Sequence, residues 1–217
     1  PLVLLLAGIG LFGGGKKELS EEEIASRVTV NPFQNTLTPD ATRAATTIAL
    51  PAPTPATDWP QAGITAYKVP GHLDAAPEFK IDWRIGAGSG SDVEKRLVAA
   101  PVVKDNRIYV MDSSQKISAF DANSGKHLWS HQLESLNKKN DGHSVGGGLA
   151  IAGDKLIASS GYAYVVALSL ANGSRIWQRP VDSPMSGSAA IMGNRAFVTS
   201  TNNEFYALDT DTGDIMW

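Results

Sequence analysis

Polar and apolar positions in this chain alternate in short blocks. Three apolar runs of similar length stand out: 107–111 (Arg-Ile-Tyr-Val-Met), 155–159 (Lys-Leu-Ile-Ala-Ser) and 195–199 (Arg-Ala-Phe-Val-Thr). A polar pair precedes each of them, Asp105-Asn106, Gly153-Asp154 and Gly193-Asn194. Runs this short predict strands, and their being apolar on both faces predicts sheets covered on both sides. Periodicity alone does not exclude a buried helix turn. The polar pairs decide for strands, because Asn, Asp and Gly accept the positive φ that a two-residue hairpin requires. A second set of turns is predicted at 113–115, 161–163 and 201–203.

The blocks repeat at a fixed spacing. From the second residue of each polar pair to a following Trp the distance is constant, 129 − 106 = 177 − 154 = 217 − 194 = 23. The stretch that joins one unit to the next varies instead, 154 − 129 = 25 against 194 − 177 = 17. Each unit ends in a related segment, with Ala119, Gly125 and Trp129 recurring as Ala167, Gly173 and Trp177 and again as Ala207, Gly213 and Trp217. About four strands in roughly 40 to 48 residues is the pattern of a propeller blade. The expected fold is all-β, a partial β-propeller. In it, Ala allows close approach, Gly takes a left-handed turn, and the indole covers a neighbouring sheet while its N–H finds a carbonyl. Burial of each indole is expected to contribute on the order of 3 kcal/mol.

The remainder of the chain divides by composition. Residues 1–15 hold a short apolar run ending in small residues, too short to span a bilayer and like the end of a secretory signal followed by a glycine tether. Residues 16–57, rich in Ala, Thr and Pro, read as an extended spacer. Within it, Ser20 with Glu23 forms either a capping box or an acidic patch, and residues 26–33 are open to a strand that joins the ring. Residues 58–217 are expected to hold three blades plus Trp83, which resembles the closing Trp of another. The chain begins at Pro1 without an initiator Met and stops on a repeat Trp, so it reads as a piece of a longer protein with further blades downstream.

Charge and residue chemistry narrow the functions. The formal charge is 19 − 22 = −3, without a basic stripe interleaved with aromatics, which argues against a nucleic-acid partner. Lys138-Lys139 reads as a solvated loop tip. The absence of Cys excludes disulfides and thiolate metal sites. His72, His127, His131 and His143 lack metal-ligand spacing and are assigned to loops and surfaces. No Ser-His-Asp set is arguable, and Gly146-Gly147-Gly148 lacks the Lys of a phosphate loop and reads as a flexible entry to the second blade.

The repeated Ala-x-Asp-x-x-Thr-Gly-x-x-x-Trp resembles the tryptophan-docking motif of quinoprotein-like β-propellers. Unit one departs at Ser124, unit two at Ser169 and Asn172, and unit three fits throughout. The resemblance implies a ring of about eight blades. The enzymes of that fold hold pyrroloquinoline quinone with a vicinal disulfide, a calcium ion and a catalytic carboxylate. Without Cys, and with Asp121 and Asp209 read as turn-stabilising carboxylates, this chain is expected to bind neither quinone nor metal and to be no enzyme.

More specific motifs lie outside the repeat: Asp58-Trp-Pro-Gln-Ala-Gly63, His72-Leu73, Asp82-Trp83-Arg84, Gly86-Ala-Gly-Ser-Gly90, Arg96-Leu97, Ala100-Pro-Val-Val103 and the run 146–150. Together they resemble the BamB family, propeller lipoproteins of the outer-membrane β-barrel assembly machinery. The resemblance implies a non-catalytic scaffold on the periplasmic side of the outer membrane. Its implied partners are the POTRA domains of the barrel-inserting subunit and unfolded barrel precursors, with no cofactor. The start of the chain is similar to the Leu-Ala-Gly-Cys of a lipoprotein signal, but Ile9 stands where the lipid-bearing Cys belongs. The family's partner loop corresponds to residues 181–187, which makes Pro184, Met185 and Ser186 the candidate contacts; an Arg used there by some members is absent, and Met185 is open to a second reading, tucked against the neighbouring blade. A quinone-dependent dehydrogenase and a ligand-sensing propeller are the alternative readings.

Overall fold

The structure is a computed structural model that describes residues 20–22, 40–43, 46–136 and 144–217. The signal-like run with Ile9, Glu23 of the capping box, the strand candidate at 26–33, Lys138-Lys139 and His143 all lie outside the described residues. The chain forms two compact units, residues 1–49 and 50–217. In the first, Asp40 Oδ1 accepts from the Thr42 amide at 2.9 Å and its hydroxyl at 2.6 Å, which lowers the Asp40 pKa.

The second unit carries three antiparallel sheets. The first contains β1 (Val102–Lys104), β2 (Arg107–Met111), β3 (Lys116–Asp121) and β4 (His127–Gln132), in that spatial order. The second contains β5 (Gly147–Ala152), β6 (Lys155–Ser160), β7 (Tyr164–Ser169) and β8 (Arg175–Pro180), again in sequence order. The third contains β9 (Ala190–Met192), β10 (Arg195–Thr199) and β11 (Phe205–Asp209). The residues that follow β11 pair back onto it, through a bridge between Leu208 and Ile215 and backbone bonds from Met216 N to the Ala207 carbonyl at 2.8 Å and from Ala207 N to the Trp217 carbonyl at 3.0 Å. The architecture is a partial β-propeller.

The turns explain the registers. Asp105 and Asn106 have φ of 49° and 58°, the pattern of a type I′ hairpin, whereas in the next two blades the positive φ falls on Gly153 (61°) and Gly193 (60°). In the second hairpins a left-handed residue recurs at Gln115 (62°), Ala163 (62°) and Asn203 (63°). A register shift recurs too, between Ala119 and Phe120 and between Ala167 and Leu168, so that Trp129 pairs with Ala119 and Trp177 with Ala167. The extra residues, Leu128 and Ile176, are turned outward and exposed.

The core lies between blades. Tyr109, Met111, Ile117 and Trp129 of the first pack with Leu149, Ile151, Leu156, Val166 and Leu168 of the second. Ile157, Val165 and Ala167 on the opposite face of the second pack with Ala196, Val198 and Leu208 of the third. A strand that feeds two cores must be apolar on both faces, and β6 and β7 are buried almost end to end.

Candidate functional site

Blade docking is one geometry used three times. The indole Nε1 of Trp83 donates to the Ala122 carbonyl at 3.0 Å, that of Trp129 to the Leu170 carbonyl at 3.1 Å, and that of Trp177 to the Thr210 carbonyl at 3.0 Å. Each acceptor follows the motif Asp, or Ser169 in its place. Each ring lies over the motif glycine of the next blade: a Cβ on Gly125, Gly173 or Gly213 would stand 2.8, 2.4 or 2.6 Å from the indole of Trp83, Trp129 or Trp177. These glycines also have φ of 70°, 72° and 75°, so both space and backbone require Gly. Ala119, Ala167 and Ala207 are fully buried. Trp217 is 61% exposed and lies beside Phe205, their ring centroids 5.4 Å apart.

The motif carboxylates hold turns. Asp121 Oδ1 accepts from the Ser124 hydroxyl at 2.7 Å and its amide at 2.8 Å, and the Ser124 bonds lower its pKa. Asp209 Oδ1 accepts from the Asp211 and Thr212 amides at 2.8 and 3.0 Å, again with a lowered pKa caused first by the Thr212 amide. Asn106 and Asn194 each donate to the second oxygen of these carboxylates. In blade two both partners change together, to Asp154 and Ser169, which avoids facing two carboxylates across the turn.

One acid escaped the sequence reading. Asp112 is buried and accepts from the amides of Ser89, Ser114 and Lys116 at 2.8, 2.9 and 2.9 Å. Gly88 approaches it so closely that a Cβ there would stand 2.4 Å from Oδ2, which explains the glycine-rich run at 86–90. A polar residue directly after an apolar strand was the available signal. Gln115, in the hairpin just before β3, was missed as well: fully buried, its Oε1 accepts from Gly161 N and the Ser160 hydroxyl across the interface of blades one and two.

Two expectations are corrected. Gly146-Gly147-Gly148 is a packed entry rather than a flexible one. A Cβ at these positions would stand 2.2 Å from the Met185 carbonyl, 2.5 Å from the Ser159 carbonyl and 2.1 Å from the Ser188 hydroxyl. Met185 is not a surface contact. It is fully buried in the core between blades two and three, and its backbone binds Gly147 N and Ser160 O. The surface members of that loop are Pro184, partly buried, and Ser186, exposed with its hydroxyl near Thr199.

The opening that Pro184 lines is a groove of about 760 Å³ at the second-hairpin end of blades two and three. Leu136, Val145, Tyr162, Ala163 and Val181 form its apolar wall, and Leu136 (58%) and Val145 (52%) are the exposed members. Asp182 and Thr201 supply a polar rim. Loops and turns rather than strands surround it.

Residues 80–190, half of the chain, match the family described as Outer membrane protein assembly factor BamB. The chain belongs to the BamB family. The BamB of Yersinia pestis is 27% identical over 139 residues, covering 62% of this chain and 35% of that protein. The quinohemoprotein alcohol dehydrogenase ADH IIB of Pseudomonas putida is also 27% identical, over 140 residues, covering 58% of this chain and 20% of the relative. Among solved structures, a europium-containing methanol dehydrogenase superposes with a TM-score of 0.61 at 15% identity, over 74% of this chain and 31% of that one, a likeness of fold alone. The chain spans about a third or less of the first curated relatives it matches.

The dehydrogenase relatives raise the question of a quinone and its metal. Among the described residues no three His, Asp or Glu side chains converge as a metal-holding group, and the sequence has no Cys. Asp112, Asp121 and Asp209 already accept backbone amides. His72 Nδ1 lies 2.7 Å from the Pro51 carbonyl, and His127 Nε2 lies 2.7 Å from the Ser130 hydroxyl. The residues described here do not fit that cofactor.

Proposed function

We propose that this BamB-family chain is part of a non-catalytic scaffold on the periplasmic side of the outer membrane. There it holds the POTRA domains of the barrel-inserting subunit and assists the insertion of outer-membrane proteins, with contact to unfolded barrel precursors. The observation that carries the reading is the family match over residues 80–190. The groove beside Pro184 supplies a surface: its wall is apolar, with Leu136 and Val145 exposed on it. Pro184 and Ser186 remain contact candidates, with Met185 as the buried anchor that fixes their loop. The signal-like residues 1–15 agree with export.

Calorimetric titration of the POTRA segment into the protein tests the proposal. A saturable complex with Kd on the order of micromolar, about −8 kcal/mol, is expected. Absence of binding by the folded protein refutes it. The dehydrogenase-named relative at 27% identity favours a second reading, a quinone-dependent dehydrogenase. Supplying pyrroloquinoline quinone with calcium separates the two: a retained quinone chromophore with dye-linked alcohol oxidation replaces the scaffold by the enzyme.

A further inference from the structure

The inner edges of the three blades share an unexpected partner. Strands β1, β5 and β9 approach one another between blades and so form the inner edge of the arc. An inner edge leaves backbone N–H groups without a ladder partner. Three residues occupy equivalent places on it, since 106 − 103 = 154 − 151 = 194 − 191 = 3: Val103, Ile151 and Ile191. Their amides are satisfied by three consecutive residues. Val103 N donates to the Trp59 carbonyl at 2.9 Å and Ile151 N to the Pro60 carbonyl at 2.7 Å. Ile191 N donates to Gln61 Oε1 at 2.8 Å.

The residue types match their tasks. Trp59 adds a second bond, its N donating to the Val103 carbonyl at 2.8 Å, and Asp58 Oδ1 accepts from the Asp105 amide at 3.1 Å, so the segment starts as a short added strand. Pro60 has no N–H to leave unpaired while it crosses to the second blade. At Gln61 the main chain turns away, with Ile64 N donating to the Gln61 carbonyl at 2.9 Å. The third contact therefore falls to a side chain, and a primary amide reproduces both halves of a peptide unit: Nε2 also donates to the Ile191 carbonyl at 3.2 Å. Gln61 is 8% exposed.

We infer that residues 58–61 are an intramolecular strap bound across the inner edges of three blades, with Asp58 and Trp59 on the first, Pro60 on the second and Gln61 on the third, that sets their mutual spacing. The strap occupies the first-hairpin end of the inner edge, beside Asp105. It acts as a unit: release of one point loosens the other two.

Native-state amide exchange, followed by NMR in the protein, tests this. Gln61→Leu removes the third point while keeping an apolar side chain of similar length. Exchange at Ile191 is expected to rise at least about ten-fold, and exchange at Ile151 and Val103 to rise with it, while Val166 inside blade two keeps its protection. Acceleration at Ile191 alone, or at none of the three, overturns the strap and leaves separate local bonds. Pro60→Gly keeps all three acceptors but frees the backbone between them, so it tests the same claim if Gln61→Leu fails to fold. A concerted rise at the three amides supports the strap, and no change at any of them overturns it.

Discussion

Truncation of Trp129 to Ala measures what a docking indole contributes. An indole buries on the order of 200 Å², which at about 25 cal/mol per Å² sets an upper bound near 5 kcal/mol. Trp129 is only 8% exposed, so it realises most of that. Its hydrogen bond adds little to the loss, because the Leu170 carbonyl keeps the Tyr109 hydroxyl at 3.3 Å and the Arg107 guanidinium at 3.2 Å. No orphaned acceptor results, which spares the further ~1 to 3 kcal/mol that an unpaired buried group costs. The cavity beside Gly173 remains, and the expected destabilisation is about 3 to 5 kcal/mol. Trp177, more exposed than Trp129, is expected to cost about 2 to 3 kcal/mol. Urea unfolding followed by far-ultraviolet circular dichroism reads both without relying on the removed fluorophore. A loss under about 1 kcal/mol for Trp129→Ala, or a larger loss for Trp177→Ala, refutes the docking argument.

Further outcomes follow from the same contacts. Gly146→Ala, whose Cβ would meet the Met185 carbonyl, is expected to cost over about 3 kcal/mol, whereas Gly153→Ala, with nothing within 4 Å, costs only the left-handed backbone penalty of about 1 kcal/mol; equal urea midpoints contradict this. Met185→Glu buries a carboxylate in the core and is expected to abolish cooperative unfolding, while Met185→Leu loses under about 1.5 kcal/mol; a stable Glu variant contradicts the burial. Asp121 has its folded pKa below the ordinary 3.8, so its contribution is present above that value and is lost as pH falls through the lower one. Asp121→Asn is therefore expected to lower the urea midpoint near pH ~7 and to converge with the native protein only as pH falls below the lowered folded pKa of Asp121. A gap that persists in acid contradicts the assignment.

The fold was legible because its signals are local and repeated. A constant distance from turn pair to Trp, and apolar runs on both faces, led to stacked sheets. The site was less legible, because it depends on contacts between residues far apart in sequence. Met185 sits between a Pro and a Ser in a loop, a polar context that reads as surface. Its burial follows from two backbone bonds, to Gly147 and Ser160, that fold the loop inward. The glycine run 146–148 reads as slack for the same reason, since its constraints come from Met185, Ser159 and Ser188. Gln61 was visible only as part of the motif at 58–63, without a role, because its partner Ile191 belongs to the third blade. Pro184 kept its place at an opening, while the groove's exposed Leu136 and Val145 were not singled out.

The most direct measurement of the central claim is the affinity for the POTRA segment of a variant carrying Leu136→Glu and Val145→Glu. Both side chains are exposed in the groove, so the propeller is expected to stay folded with an unchanged circular dichroism spectrum. Two carboxylates on the apolar wall are expected to weaken binding at least ten-fold, about 1.4 kcal/mol. Unchanged affinity in the folded variant would contradict the claim that this face of a BamB-family propeller carries recognition.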